Sequence, residues 1–306
     1  MPAKQKRRRF FGGKGQCWRH IINQFPPHVV YVEPFVGGAS VLRNKLPAAH
    51  SIAVDINSET LGRLDVDGVE KVNQDSLLWL PAFFGDLFTR ERVRVAGQWV
   101  DVRDVLVYAD PPYPMESRRS DRKRYLFDCN EDSPKWHKSF LDVMTSLPCM
   151  VAVSTYPNDY YRERLTAADW RFVEFQSMTS KGLATEWLWM NYEQPEVLHD
   201  SRYLGEDKRE REVRRRRERS MVRKFRKLTT AQRAATLSQL IEQIVELDGV
   251  DFGDRLRLFR SIGAAAWTGT GFDLGSLPWP TCNECGVGLM EGKIGLVCPN
   301  GHGKIQ

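Results

Sequence analysis

The sequence has no long apolar run. No stretch of the 306 residues approaches the roughly 18–20 consecutive apolar side chains that a membrane-spanning helix needs. The first residues are basic and lack the apolar segment of a signal peptide. We therefore expect a cytoplasmic protein with no membrane partner.

Cysteine is also scarce, and internal repeats are lacking. Of the six cysteines, Cys17, Cys129 and Cys149 are scattered without a pairing pattern, as expected of free thiols in a reducing compartment. The other three lie together between residues 282 and 298. Apolar residues make up 42% of the chain, which is ordinary for a packed core. The length suits one α/β catalytic domain with a smaller appendage.

Positive charge is not spread evenly along the chain, and two strongly basic segments account for the net charge of +6. Residues 1–14 carry six basic side chains and no acidic one, and residues 202–227 carry thirteen basic and five acidic ones. The rest of the chain is therefore net acidic. Such concentration favours a polyanionic partner, although a charged run is also compatible with a solvated surface.

Residues 1–195 alternate short apolar runs with helical patterns, which predicts a mostly parallel sheet with crossover helices. Helices are expected after Gly38, Ser58 and Ser133, and another near Pro157. The run before Ala109 is apolar throughout, as in a buried central strand. The predicted strands are residues 28–32, 51–54, 69–72, 104–108, 150–153, 171–175 and 185–191.

The composition changes near Pro195. Residues 202–227 could form an exposed helix or a disordered arm. A helix is predicted next, with Thr229 and Gln232 as a capping box and Gly249 as its stop. We predict four parts: a catalytic domain (1–198), a basic helical arm (199–250), a linker (251–280) and a terminal zinc-binding unit (281–306).

The segment VVYVEPFVGGASVL reads as a strand, a glycine turn and a helix. Gly37 and Gly38 allow backbone amides to approach a ligand. Asp55 ends the next predicted strand, where a carboxylate can accept hydrogen bonds from ribose hydroxyls; a simple helix cap is the alternative. G-x-G-x-x-G and the P-loop lysine are both lacking, which disfavours NAD and nucleoside triphosphates. S-adenosyl-L-methionine (AdoMet) remains as the candidate cofactor, because its amino-acid end needs close backbone contact and its ribose needs an acidic residue.

The tetrapeptide Asp110-Pro111-Pro112-Tyr113 follows the predicted central strand. Two prolines fix an extended backbone and remove two amide donors. A carboxylate and a free carbonyl can grip the hydrogens of an aromatic exocyclic amine, whose lone pair then attacks a methylsulfonium in line. Tyr113 can stack on a flipped base. We therefore predict amino-group methylation of a nucleobase.

The last residues contain C-x2-C, twelve residues, and then C-x3-H. A structural zinc site takes four tetrahedral Cys and His ligands, and this pattern supplies four. A short hairpin is predicted between the two ligand pairs, and so small a unit needs a metal to fold. We therefore predict a small zinc ribbon, and its Zn²⁺ ligands are Cys282, Cys285, Cys298 and His302.

Taken in order, these motifs resemble the DNA adenine-N6 methyltransferases of the D12 (Dam-like) class, which are often encoded by phages or restriction–modification systems. The resemblance covers roughly residues 9–195. It is carried by FFGGKG at 10–15, EPFVGGAS at 33–40, DIN at 55–57, DPPY at 110–113, STYPNDYY at 154–161 and EWLWMNY at 186–192.

This resemblance implies a Rossmann-like class I AdoMet-dependent methyltransferase fold, with a mostly parallel seven-stranded sheet. It also implies the cytoplasm of a prokaryotic or phage-infected cell. Asp110 and the Pro111 carbonyl would hold the target N6, and Tyr113 would stack on it. The residues implied to contact AdoMet are Lys14, Phe35, Gly37, Gly38, Asp55, Asn57 and Asp75.

The sequence departs from the resemblance in one respect. Many members insert a target-recognition domain before the tetrapeptide, whereas only about 50 residues separate Asp55 from Asp110 here. The basic, aromatic loop after Tyr113 is our candidate for DNA contact, so we expect a short or relaxed target sequence. His137 could contact DNA or simply pack. The loop residues are Arg118, Arg119, Arg122, Lys123 and Arg124.

Two alternatives stay open at this point. The same motif serves amino-methylation of adenine or guanine in RNA, and a DNA-binding protein could retain such a fold without turnover. The intact tetrapeptide and glycine turn favour an enzyme that acts on a flipped adenine of duplex DNA. A monomer is the working expectation, and the sequence does not determine the oligomeric state.

Overall fold

The computed structural model describes Lys14 and residues 17–85, 91–114, 133–179, 182–205, 207–248, 290–292 and 295–297. The chain divides into two compact units, residues 1–262 and residues 263–306. Within the described part, no helix is both long and apolar enough to cross a membrane.

A seven-stranded sheet forms the centre of the first unit. Its strands are β1 (Val30–Pro34), β2 (His50–Val54), β3 (Val69–Val72), β6 (Val105–Ala109), β7 (Met150–Thr155), β8 (Arg171–Thr179) and β9 (Gly182–Met190). Their order is β3-β2-β1-β6-β7-β9-β8. Strand β9 is antiparallel to both of its neighbours, and the pairs from β3 to β7 are parallel. This topology confirms the predicted Rossmann-like fold with a mostly parallel seven-stranded sheet.

The central strands are apolar because both of their faces are covered. In β1, Val30 and Val32 belong to one hydrophobic cluster and Tyr31 to the other. In β6, Val107 and Leu106 divide in the same way. All five residues of each strand are buried, which is the pattern of parallel strands between two helical layers.

Five helices accompany the sheet: α1 (Trp18–Ile22), α2 (Ser58–Gly62), α3 (Ser76–Phe84), α4 (Ser133–Ser146) and α5 (Asp159–Ala167). The predicted helices after Ser58, at Ser133 and near Pro157 are confirmed. A small hairpin, β4 (Arg92–Val95) and β5 (Gln98–Asp101), precedes β6. Val102 donates its amide to the Glu91 carbonyl at 2.9 Å, which closes this hairpin.

The helix expected after Gly38 is wrong, because residues 40–44 form successive turns. The amides of Arg43 and Lys45 make single-turn bonds of 3.0 Å to Ala39 and Val41. The Leu42 amide instead donates to the buried Glu33 carboxylate at 3.0 Å. Pro47 follows closely and cannot continue a helix, so the segment does not propagate beyond a turn.

The basic arm is helical. α6 (Lys208–Arg226) and α7 (Thr230–Asp248) follow the sheet, so of the two expectations for residues 202–227 the helix is correct. The predicted capping box is present, with the Thr229 amide donating to Gln232 Oε1 at 2.9 Å and the Gln232 amide to Thr229 Oγ1 at 3.3 Å. Gly249 and the linker 251–280 lie outside the described residues.

In the second unit, the structure describes the antiparallel strands β10 (Met290–Gly292) and β11 (Gly295–Val297). They form the hairpin expected between the two pairs of predicted zinc ligands. The ligands themselves, Cys282, Cys285, Cys298 and His302, lie outside the described residues, and the zinc ribbon stays a prediction. Among the residues that are described, no group of three His, Cys, Asp or Glu side chains could hold a metal ion.

Candidate active site

The topology brings three of the predicted motifs to one edge of the sheet. Strands β1, β2 and β6 are parallel neighbours, and they end at Pro34, Val54 and Ala109. The glycine turn, Asp55 and the tetrapeptide that begins at Asp110 therefore follow at the same carboxyl edge. Ligands of open α/β sheets bind at this edge.

The turn after β1 has an unusual backbone. Phe35, Gly37 and Ala39 have φ values of 60°, 46° and 53°, and the left-handed region costs energy for residues other than glycine. The Val36 amide donates to the Val54 carbonyl at 3.2 Å, and the Gly37 amide donates to Asp55 Oδ2 at 3.1 Å. The tip of β2 thus fixes the conformation of the turn.

Asp55 accepts a second hydrogen bond, from the Asn57 amide to Oδ1 at 2.9 Å. Burial raises the pKa of Asp55, and the two amide donors partly oppose this rise. The cap of α2 is Asn57, whose side chain accepts from the Glu59 amide at 2.9 Å. Asp55 is therefore not the helix cap that the sequence left open. The neighbouring Ile56 is 45% exposed at the same tip.

Asp75 and Phe35, two other residues predicted to contact AdoMet, have structural partners. Asp75 caps α3 by accepting from the Leu77 amide at 2.8 Å. The Phe35 ring packs edge-to-face on Trp136 and Phe140, with centroid distances of 5.9 and 5.8 Å. Their cofactor contacts, like those of Lys14, Gly37, Gly38, Asp55 and Asn57, stay predictions.

Lys14 lies at the centre of the candidate active site. Its Nζ is 2.7 Å from Asp110 Oδ1 and 3.0 Å from Glu186 Oε2, and it also donates to the Tyr113 hydroxyl. The lysine is buried, and the Asp110 side chain is 22% exposed. One cation therefore connects the first motif of the chain to the tetrapeptide.

The charges of this cluster affect one another. Burial alone would lower the pKa of Lys14, but the carboxylates of Asp110 and Glu186 outweigh it and hold that pKa well above its usual value. Burial raises the pKa of Asp110, and the Lys14 cation opposes the rise. Burial, followed by the two carboxylates, also raises the pKa of Tyr113. The lysine is thus a cation and the phenol is neutral near pH 7.

Glu186 on β9 was not predicted as a site residue. Besides Lys14, its carboxylate accepts from Ser177 Oγ on β8, with Oε1 at 2.6 Å. Tyr113 adds a longer contact of 3.4 Å to Oε2. The sequence does contain a signal, because Glu186 is the one charged side chain of a strand whose next four residues are buried. A buried carboxylate needs a partner.

The tetrapeptide lies directly beyond β6. Pro111 is buried, and Tyr113 is partly exposed. The Tyr113 ring packs edge-to-face on Tyr156 with centroids 4.5 Å apart, and Lys14 Nζ lies 4.8 Å from the centre of the same ring. Tyr113 is thereby positioned beside Asp110 by residues from three parts of the chain.

The residues predicted to contact nucleic acid fall into two groups. The loop residues Arg118, Arg119, Arg122, Lys123 and Arg124 lie outside the described residues. His137 is described and is 2% exposed. Its Nδ1 is 2.8 Å from the Tyr161 hydroxyl, and its ring packs edge-to-face on Trp136. These contacts are those of a packed residue, and the contact of His137 with nucleic acid stays a prediction.

Comparison with known proteins gives one family match. The model of the family described as D12 class N6 adenine-specific DNA methyltransferase matches residues 10–64, which include Lys14, the glycine turn and Asp55. No match was found among the curated proteins.

Among solved structures, the 23S rRNA methyltransferase ErmE is 12% identical, with 82% of this chain and 97% of that chain covered and a TM-score of 0.35. A SAM-dependent methyltransferase from Agrobacterium tumefaciens is 11% identical, with 56% and 58% covered and a TM-score of 0.35. A precorrin 8W decarboxylase from Methanobacterium thermoautotrophicum is 11% identical, with 58% and 88% covered and a TM-score of 0.34. Similarity at this level carries no functional argument.

Proposed function

We propose that this protein is an AdoMet-dependent methyltransferase that methylates N6 of a flipped adenine in DNA. The observation that carries the proposal is the position of Asp110 and Pro111 at the end of the buried central strand, beside the turn that Asp55 fixes. The family match supports the choice of DNA adenine as the substrate.

The residues at the carboxyl edge fit AdoMet. Asp55 uses each carboxylate oxygen for one backbone amide, and a carboxylate offers about four acceptor sites in all, so capacity remains for two ribose hydroxyls. The exposed Ile56 is an apolar surface for the adenine ring. The left-handed backbone at Phe35 and Gly37 lets main-chain groups approach the amino-acid end. When bound, AdoMet would supply an electrophilic methyl group on a sulfonium, and the methyl–sulfur bond would break with its electron pair left on the neutral thioether.

In the proposed mechanism, Asp110 and the Pro111 carbonyl accept the two hydrogens of the adenine amino group. These acceptors pull the nitrogen toward a tetrahedral geometry and release its lone pair from the ring. Tyr113 stacks on the base and holds it in the plane that in-line attack requires. Once the N–C bond has formed, the cationic nitrogen loses a proton, and the ionised Asp110 is the adjacent acceptor.

Lys14 and Glu186 prepare Asp110 for this role. The Lys14 cation favours the ionised form of the Asp110 carboxylate, which burial disfavours. Glu186 holds the lysine from the opposite side, at 3.0 Å. Both are positioning residues in this mechanism, because each acts on the base through Asp110.

A methyl-transfer assay tests the proposal. Wild-type protein, labelled AdoMet and adenine-containing duplex DNA should yield N6-methyladenine, identified after hydrolysis of the DNA. Asp110→Asn removes the anionic acceptor and should reduce kcat by at least about a hundredfold. Asp67→Asn is a matched control, because Asp67 is exposed in the loop before β3 at the opposite edge of the sheet.

Three results would contradict the proposal. Absence of transfer to any DNA would exclude DNA methylation, and a labelled RNA substrate in parallel would reveal the alternative target. DNA binding without turnover would favour the non-catalytic alternative. Full activity in Asp110→Asn would exclude the mechanism. Mapping of methylated sites then tests the expected short or relaxed recognition sequence, which a strict site of about six or more bases would contradict.

A further inference from the structure

The helix α6 carries an unusual excess of positive charge for a folded element. Eleven of its nineteen residues are Lys or Arg and three are acidic, and none of its side chains is buried. Like charges three or four residues apart destabilise a helix. The excess therefore has a cost for the isolated protein, and a polyanion that lies along the helix would remove it.

Many of the positive charges lie on one side of the helix. At about 100° per residue, six exposed basic residues share a sector of about 100°. We call this set the basic stripe, and its members are Lys208, Arg209, Arg216, Arg219, Arg223 and Arg226. From end to end the stripe is about 27 Å long at 1.5 Å per residue. The only acid within the sector is Glu212, whose contacts to Lys208 and Arg216 are 3.8 and 4.0 Å, and exposed pairs of this kind are weak.

Another side of α6 faces the protein. Arg211 donates to the Gly205 carbonyl at 2.8 Å, and Arg214 donates to the Ser201 carbonyl. The side chain of Arg214 is 25% exposed, whereas that of Arg216 is 77% exposed. The helix is thus anchored on one side and presents the basic stripe on another.

The segment that holds α6 packs on α1, which begins four residues after Lys14. The segment beneath α6 contains Tyr203, whose ring packs edge-to-face on Trp18 with centroids 4.7 Å apart. Asn23 Nδ2 donates to the Tyr203 carbonyl at 2.9 Å. Trp18 begins α1, and Cys17 just before it bonds the Lys14 carbonyl through both its amide and its thiol. The basic helix is therefore attached to the element that follows Lys14.

We propose that the basic stripe binds the sugar–phosphate backbone of the duplex DNA whose adenine enters the active site. This inference rests on the proposed function for the identity of the nucleic acid. Five of the six stripe residues are arginine, which binds phosphate oxygens in a bidentate manner. A membrane-surface helix instead needs a continuous apolar face with large side chains. Val213, Met221, Phe225 and Val222 do not form one, since they are spread over about 180° around the axis and Arg211, Arg214 and Glu218 lie among them.

Salt-dependent DNA binding by the full-length protein, in the absence of AdoMet, tests the inference. The double variant Arg219→Gln with Arg223→Gln should make the negative slope of log K against log salt shallower by about 1.8, because each lost phosphate contact removes about 0.9 from its magnitude. At physiological salt, Kd should rise about tenfold. The substitutions Arg219→Lys with Arg223→Lys keep the charge and should keep the slope.

The matched control is Arg92→Gln with Arg94→Gln. It removes the same charge from two exposed residues of the β4–β5 hairpin. This hairpin comes directly before β6, whereas the tetrapeptide follows the other end of that strand. An unchanged slope in the stripe variant would overturn the inference, and so would an equal decrease in the hairpin variant. A decrease confined to duplex RNA would overturn the choice of DNA.

The readout separates this inference from the proposed function. Binding is measured without turnover, so the stripe can be confirmed in a protein that transfers no methyl group. Conversely, N6-methyladenine can form in DNA while the stripe variant retains the wild-type slope. Circular dichroism of each variant shows whether the total helical content of the protein is kept, and a stripe variant with wild-type helical content and a wild-type slope excludes the stripe as the binding surface.

Discussion

Lys14 and Glu186 act on Asp110 in opposite directions. The Lys14 cation lowers the pKa of Asp110, and the Glu186 carboxylate raises it. Methyl transfer in the proposed mechanism needs ionised Asp110, so activity is lost as the pH falls through the pKa of that carboxyl. The acid limb of the kcat profile therefore reports the electrostatic balance of the cluster.

Lys14→Met should move this acid limb to higher pH. Removal of a cation 2.7 Å from the carboxylate leaves only the Tyr113 hydrogen bond to oppose burial, and the shift should be about one to three pH units. The measurement is kcat between about pH 5 and 9 at saturating AdoMet and DNA.

Glu186→Gln should shift the acid limb in the direction opposite to the shift caused by Lys14→Met. It keeps an oxygen that can accept from Lys14 but removes the negative charge, so the acid limb should move to lower pH. A purely structural role for both residues predicts reduced activity with no opposite displacement. Equal shifts in one direction would therefore contradict the electrostatic account.

At the scale of elements, the strands were the most predictable part of the fold. β1 and β6 are covered on both faces, so their sequences are continuously apolar and the pattern is visible without a structure. α1 has only five residues, too few for a helical period. α3 contains Pro81. Neither helix was predicted, because a short or interrupted pattern is decided by packing.

The candidate site was predictable only where local sequence determines it. The glycine turn and the tetrapeptide each follow a strand directly, so their position at the carboxyl edge follows from the parallel topology. Glu186 joins the cluster through the antiparallel placement of β9 between β7 and β8. No local pattern specifies that placement, and the contact to Lys14 spans 172 residues.

The capping box of α7 gives a prediction for a single element. Thr229→Ala removes the acceptor of the Gln232 amide and should destabilise the helix by about 1 kcal/mol. Amide hydrogen exchange in the first turns of α7 should accelerate about fivefold. Thr230→Ala is the control, since Thr230 begins the helix and is not its cap. Equal acceleration in both variants would show that the box does not stabilise α7.

At the scale of the whole molecule, a second cluster of buried ionisable side chains contains Glu33, on the strand before the glycine turn, and Lys45. Glu33 is 3% exposed, and its Oε2 accepts from the Tyr31 hydroxyl at 2.7 Å. Burial raises the pKa of Glu33 to about 8. Burial lowers the pKa of the nearby Lys45 to about 7. Glu33 is therefore largely neutral in the folded protein near pH 7, whereas Lys45 is close to half protonated.

Glu33 should make the folded protein less stable as the pH rises. Between the unfolded value near 4.5 and the folded value of about 8, the folded state binds more protons than the unfolded state. The contribution of Glu33 to stability is complete below this window and is lost as the pH rises through it. Glu33→Gln removes this titration while it keeps an acceptor.

The stability of Glu33→Gln relative to wild type should thus increase from pH 5 to pH 8. We expect an increase of at least about 1.4 kcal/mol, the equivalent of one pKa unit, in the free energy of unfolding by urea. Lys45 is present in both proteins, but its pKa is raised by the Glu33 carboxylate, so the double variant with Lys45→Met is the control that separates the two titrations. Parallel pH profiles of the two proteins would mean that Glu33 has a similar pKa in the folded and unfolded chains.

The position of β9 also determines when the seven-stranded sheet can first be complete during synthesis. In the described sheet, β8 pairs with β9 alone, so it has no neighbour until β9 has been synthesised. Lys14 likewise lacks one of its two carboxylates until residue 186 has left the ribosome. The glycine turn and the tetrapeptide are therefore synthesised before the candidate active site can be complete, because Glu186 follows Tyr113 by about 70 residues, which takes roughly 4–14 seconds at about 5–20 residues per second.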